Sequence, residues 1–81
     1  MNEAPRKPRD GSKMAAALEL LIEAQGRLVT LPEFMRLGLG ATHSAMATLR
    51  SQGWHIQNRK ENNGGEVHSS YRLTDPEQFR E

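Results

Sequence analysis

Apolar side chains at Met14, Ala17, Leu18, Leu21 and Ile22 recur at spacings of three and four, the period of a helix with one buried face. Glu19 and Glu23 fall on the other side, Ser12 stands at the N-cap and Gly26 at a left-handed C-terminal cap. Together they predict a first helix over residues 12–25. Leu28 and Val29 then suit a single short edge strand over residues 27–29. Thr30-Leu31-Pro32-Glu33 reads as a capping box, with proline tolerated in the first turn. It opens a second helix that carries Phe34, Met35 and Leu37 inward and stops at Gly38.

Leu39 is expected to dip into the core, and Gly40 opens a third helix over residues 41–52. Ala45, Met46 and Leu49 form its buried edge, while Thr42, His43, Ser44, Ala47, Thr48, Arg50 and Ser51 project elsewhere, and Gly53 closes it. Residues 54–59 and 67–73 read as strands, with Ile56 on one and Val67, Ser69, Tyr71 and Leu73 alternating on the other. Between them, residues 60–65 end in Asn-Asn-Gly-Gly and predict a flexible hairpin tip. The expected core is Leu18, Leu21, Ile22, Phe34, Leu39, Leu49, Ile56 and Leu73, joined by Trp54 and Tyr71, since a chain with four aromatic residues needs them for packing.

A capped short helix, a tight turn, a second helix and a Gly-tipped hairpin are the outline of an α+β winged helix-turn-helix: three helices plus a small antiparallel sheet with a β-hairpin wing. Three segments follow. Residues 1–11, with Pro5, Pro8 and Gly11 among charges, read as a disordered basic arm; residues 12–74 form the domain; residues 75–81 form a short acidic tail.

Length and composition narrow the choices. A chain of 81 residues holds one domain with a small core. It has no cysteine, so neither disulfides nor thiolate metal sites are available, which fits a reducing, cytoplasmic setting. The longest apolar run, residues 14–18, is far short of a membrane span, and the polar N-terminal residues carry no signal-peptide core. The net charge of +1 hides a gradient. Arg27, Arg36, Arg50, Arg59, Lys60 and Arg72 outnumber Glu33, Glu61 and Glu66 between residues 27 and 72, whereas Asp75, Glu77 and Glu81 outnumber Arg80 at the end. Such an asymmetry gives one face a positive potential.

Over residues 12–73 the chain resembles the small winged helix-turn-helix domains common in bacteriophages, prophages and plasmids. The residues that carry the likeness are the Leu-rich first helix, Leu37-Gly38-Leu39 in the turn, Leu49-Arg50 followed by Gly53-Trp54-His55-Ile56, and the closing Tyr71-Arg72-Leu73. The resemblance implies double-stranded DNA binding, commonly in transcription regulation or phage development, with the third helix in the major groove. This helix departs from many DNA readers in offering small polar groups and a central Ala47 in place of several Arg, Lys, Asn or Gln residues.

The expected DNA-binding residues are therefore Thr42, His43, Ser44, Ala47, Thr48 and Arg50 on the third helix, with Arg59, Lys60, Asn62 and Asn63 on the wing. Thr, Ser and His can hydrogen-bond base edges or phosphates, and Arg59 and Lys60 supply charge for the backbone. Arg50 in a last helical turn equally suits a structural role beside the helix dipole. The basic run Arg6-Lys7-Pro8-Arg9 could track a groove. Function favours a homodimer, because paired half-sites enlarge a small interface, although no dimerisation helix is visible. His43, His55 and His68 lie on different elements without ligand spacing, so no metal is expected. No nucleophile motif, phosphate-binding loop or carboxylate pair points to an enzyme, a cofactor or a small-molecule substrate. The rival function is a protein-docking module, a role the same architecture can serve.

Overall fold

The structure, a computed structural model, describes residues 5–79. Three α-helices, α1 (Lys13–Glu23), α2 (Leu31–Met35) and α3 (Thr42–Ser51), combine with strands β1 (Val29–Thr30), β2 (Ile56–Asn63) and β3 (Glu66–Leu73) and a 3-10 turn at Pro76–Gln78. The strands form one antiparallel sheet in the order β1-β3-β2. The chain is thus α+β, and this element order is compatible with the winged-helix layout expected from the sequence.

α1 and α2 start where side chains make capping hydrogen bonds, whereas α3 starts after Ala41 without one. Ser12 Oγ accepts from the Ala15 amide at 3.1 Å. At α2 the Glu33 carboxylate accepts from the Thr30 amide at 2.8 Å and from the Thr30 hydroxyl at 3.0 Å; Thr30 is also the last residue of β1, opposite Ser70. These bonds, the backbone one first, hold the Glu33 carboxyl below its ordinary range. α1 ends two residues before the expected limit, and Gln25 and Gly26 both take the left-handed conformation.

All three helices pack on one face of the sheet. Ala17, Leu18 and Leu21 from α1, Phe34 from α2, and Ala45, Met46 and Leu49 from α3 meet Val29, Trp54, Ile56, Tyr71 and Leu73 in one cluster. The Phe34 and Tyr71 rings meet edge to face with centroids 5.9 Å apart. Ile22 and Leu39, expected inside, are only partly buried and pack at its margin.

Several expectations are corrected. Met35 does not face inward: it is 61% exposed, because α2 is a turn and a half long and its position beside Phe34 lies about 100° round the helix from the buried side. Val67 is 62% exposed, because the hairpin outruns the core and the alternation there has nothing to pack against. The flexible tip shrinks to two residues. Lys60, Glu61 and Asn62 belong to β2, paired with Ser69, His68 and Val67, and only Gly64 and Gly65 form the turn. Their φ angles of +60° and +91° are the positive values a tight two-residue hairpin needs at both positions.

The segments flanking the domain are docked. Within the expected arm, residues 1–4 lie outside the described residues, but the Arg6 amide donates to the Gln52 carbonyl at 2.9 Å. The Arg6 carbonyl accepts from Trp54 Nε1 at 2.8 Å. Pro5 covers Gly53, where an added Cβ would lie 3.3 Å from Pro5 Cα. In the expected tail, Gln78 Oε1 accepts from the His55 amide and Gln78 Nε2 donates to the Gly53 carbonyl, both at 2.8 Å, while Phe79 packs against the core. Both ends thus converge on residues 52–55, the link between α3 and β2. Backbone and amide groups make this clamp, which is why a hydrophobic pattern gives no sign of it.

Candidate nucleic-acid interface

The inward stripe of α3 is Thr42, Ala45, Met46 and Leu49, all buried, at the i, i+3, i+4, i+7 spacing of one helix face. Thr42, expected among the outward residues, is 5% exposed and belongs to this stripe. The reason is positional: it sits one turn before Met46 and one residue short of the outward series.

Two outward stripes remain. His43, Ala47 and Arg50 make one and Ser44, Thr48 and Ser51 the other, all exposed. Helical geometry stacks the members of each stripe turn by turn. Most of these side chains are already tethered. Thr48 Oγ1 donates to the Ser44 carbonyl at 3.0 Å and Ser51 Oγ to the Thr48 carbonyl at 2.6 Å. Both hydroxyls retain lone pairs able to accept from a partner.

His43 is held from below. Its Nδ1 shares a hydrogen bond with the Tyr71 hydroxyl, and the two rings meet edge to face at a centroid distance of 5.6 Å. The contact fixes the orientation of a ring on the exposed first turn of α3 by means of a residue on the central strand, β3. Burial raises the Tyr71 pKa above its usual 10.0, and the nearby Arg50 charge opposes that rise.

Arg50 Nε donates to the Ile56 carbonyl at 2.9 Å. The guanidinium therefore bridges the last turn of α3 to the first residue of β2, the structural role its place near the helix end suggested, and its remaining N–H donors have no partner among the described residues.

The hairpin residues separate into two groups. Successive residues of a strand point to opposite faces, and the register pairs Ile56 with Leu73, Asn58 with Tyr71, Lys60 with Ser69 and Asn62 with Val67 on the face that carries the helices. Gln57, Arg59 and Glu61, opposite Arg72, Ser70 and His68, occupy the far face. Lys60 and Asn62 thus project on the side of α3, whereas Arg59 does not. Arg59 Nε lies 3.5 Å from Glu61 Oε1, and Arg59 shares a shallow groove with Arg72, Gln57 and Leu28 on the far side. The side chain of Asn63 lies outside the described residues.

Sequence patterning missed one neighbour of this surface. A groove beside the first turn of α3 is lined by Leu31, Met35, Ala41, His43 and Ser44. The i, i+4 spacing of Leu31 and Met35 is the signal that puts both on one side of α2. Among the described residues no group of three or more His, Cys, Asp or Glu could hold a metal ion, and no helix is long and apolar enough to cross a membrane. Comparison with protein-family models, curated proteins and solved structures finds no match to this chain.

Proposed function

We infer that this chain is a winged helix-turn-helix domain that binds double-stranded DNA, acting as a small transcriptional regulator or accessory factor of a phage or mobile element. The observation that carries this reading is the joint presentation of α3 and the hairpin: short polar side chains cover the exposed face of α3, and Lys60 and Asn62 extend from β2 on the same side of the sheet. Small side chains let a helix approach base edges closely, and a basic strand beside it can contact phosphate. His43, Ser44 and Thr48 are the readers, Ala47 gives clearance, and Lys60 with Arg50 supplies charge. No chemistry is assigned to the domain. Two copies on paired half-sites would enlarge the small interface.

Selection of bound fragments from random duplex DNA at near-physiological salt tests this reading. A recovered motif that changes when His43, Ser44 and Thr48 are replaced by Ala supports it; a motif that survives all three changes removes α3 as the reader.

A second reading is a protein-docking module. Met35, 61% exposed, favours it because it lines the groove beside the first turn of α3. Failure of the protein to retain any duplex would move the assignment there.

A further inference from the structure

The groove between α2 and the start of α3 holds an apolar side chain that the polar readers do not explain. Met35 is 61% exposed, and with Leu31 and Ala41 it gives the groove an apolar wall that ends at His43 and Ser44. No Lys, Arg, Asp or Glu lines it, so no carboxylate, ammonium or guanidinium interrupts its apolar wall. In the major groove the apolar feature of a base edge is the thymine 5-methyl group, which distinguishes T from C at the same position.

We propose that Met35 is a specificity-determining residue that receives a thymine methyl group in this groove when α3 enters the major groove. The proposal rests on the DNA-binding reading and adds to it the base read beside the first turn of α3. Methionine suits the task, since its unbranched, polarizable thioether adapts to a small apolar partner. Ala41, short and exposed at the mouth of the groove, leaves room for the base to approach. His43, its ring fixed by Tyr71, marks the polar end of the groove for a neighbouring base edge. This contact would supply base discrimination beside α3, where the outward Ser44, Ala47, Thr48 and Ser51 are small.

The test uses the full chain and the duplex recovered by selection, with each thymine replaced in turn by deoxyuridine, which removes only the 5-methyl group. Affinities are measured for the parent, Met35→Ala and Met35→Leu, with thermal melts confirming that the three fold alike. At one thymine the parent should lose roughly three- to fivefold in affinity on conversion to uracil, the effect of about one buried methyl group. Met35→Ala should bind the two duplexes equally, and Met35→Leu should keep the preference. Equal binding of thymine and uracil duplexes by the parent at every position overturns the methyl contact and leaves DNA binding standing. Retention of the thymine preference by Met35→Ala overturns the role of Met35. A parent that binds no duplex overturns both this inference and the reading beneath it.

Discussion

The hydroxyl of Tyr71, whose ring is buried in the centre of the core, is hydrogen-bonded to Nδ1 of His43 on the exposed face of α3. The sheet and the surface of the third helix are thereby joined by one polar contact. Tyr71→Phe keeps the ring and its edge-to-face packing on Phe34 but frees the imidazole. Stability should fall by about 0.5–1.5 kcal/mol, read by chemical denaturation. Base preference at the position contacted by His43 should broaden, and a recovered motif identical to that of the parent would separate the contact from specificity.

Tyr71 also predicts behaviour at high pH. Its folded pKa is raised above 10.0 by burial, so the stability it contributes is fully present below the unfolded value and is lost as pH rises through the folded one. The parent should unfold more readily above pH 10, and Tyr71→Phe should flatten that alkaline decline in melts run across pH.

Glu33 acts in the opposite direction. Because the Thr30 amide and hydroxyl hold its carboxyl below the usual value of 4.5, its contribution is present above that pH and fades as pH falls through the lower, folded value. Glu33→Gln should be destabilised near neutrality, by no more than about 1 kcal/mol for one exposed cap, and should lose less on acidification than the parent. Denaturation curves at neutral and acidic pH measure both effects.

Gln78 carries the clamp on the α3–β2 link, donating to the Gly53 carbonyl and accepting from the His55 amide. Gln78→Ala should lower stability by about 1–2 kcal/mol, the sum of two ordinary hydrogen bonds. Trp54, hydrogen-bonded to Arg6 beside the same link, reports the change through its fluorescence. A variant with the parent's midpoint would show that the clamp adds nothing to the fold.

How much of this was legible beforehand depends on which force shaped each part. Side chains that answer to burial at helical or strand period, such as Leu18, Leu49 and Leu73, were readable, as were the Thr30–Glu33 cap and the α3 stripe of Ala45, Met46 and Leu49. Local turn chemistry placed a hairpin correctly but overestimated its loop, because Asn62 can continue a strand as well as start a turn. Met35 is exposed although its hydrophobicity suggests burial, because α2 is too short to bury more than the side that carries Phe34. The docking of Arg6 and Gln78 leaves no hydrophobic signature, since main-chain groups, Trp54 Nε1 and the Gln78 amide make it. In the candidate site, the outward positions of His43, Ser44, Ala47, Thr48 and Arg50 followed from periodicity. That Arg59 and Lys60 part to opposite faces follows from strand parity once both are known to lie inside β2.

That parting distinguishes two neighbouring cations. Lys60→Gln should weaken binding to every duplex alike and reduce the slope of log affinity against log salt by about 0.9, one phosphate contact. Arg59→Gln, on the far face and beside Glu61, should leave the slope close to the parent's. Equal effects of the two changes would place the hairpin differently on DNA.

The central claim is that α3 and the hairpin together bind duplex DNA, and titration of the unmutated protein against selected and random duplexes between about 50 and 200 mM salt tests it most directly. The account predicts that both affinities fall linearly on logarithmic axes as salt rises. The selected duplex should be held about 10³-fold more tightly, the low end for sequence-specific binders. Absence of binding to any duplex at the lowest salt would contradict it.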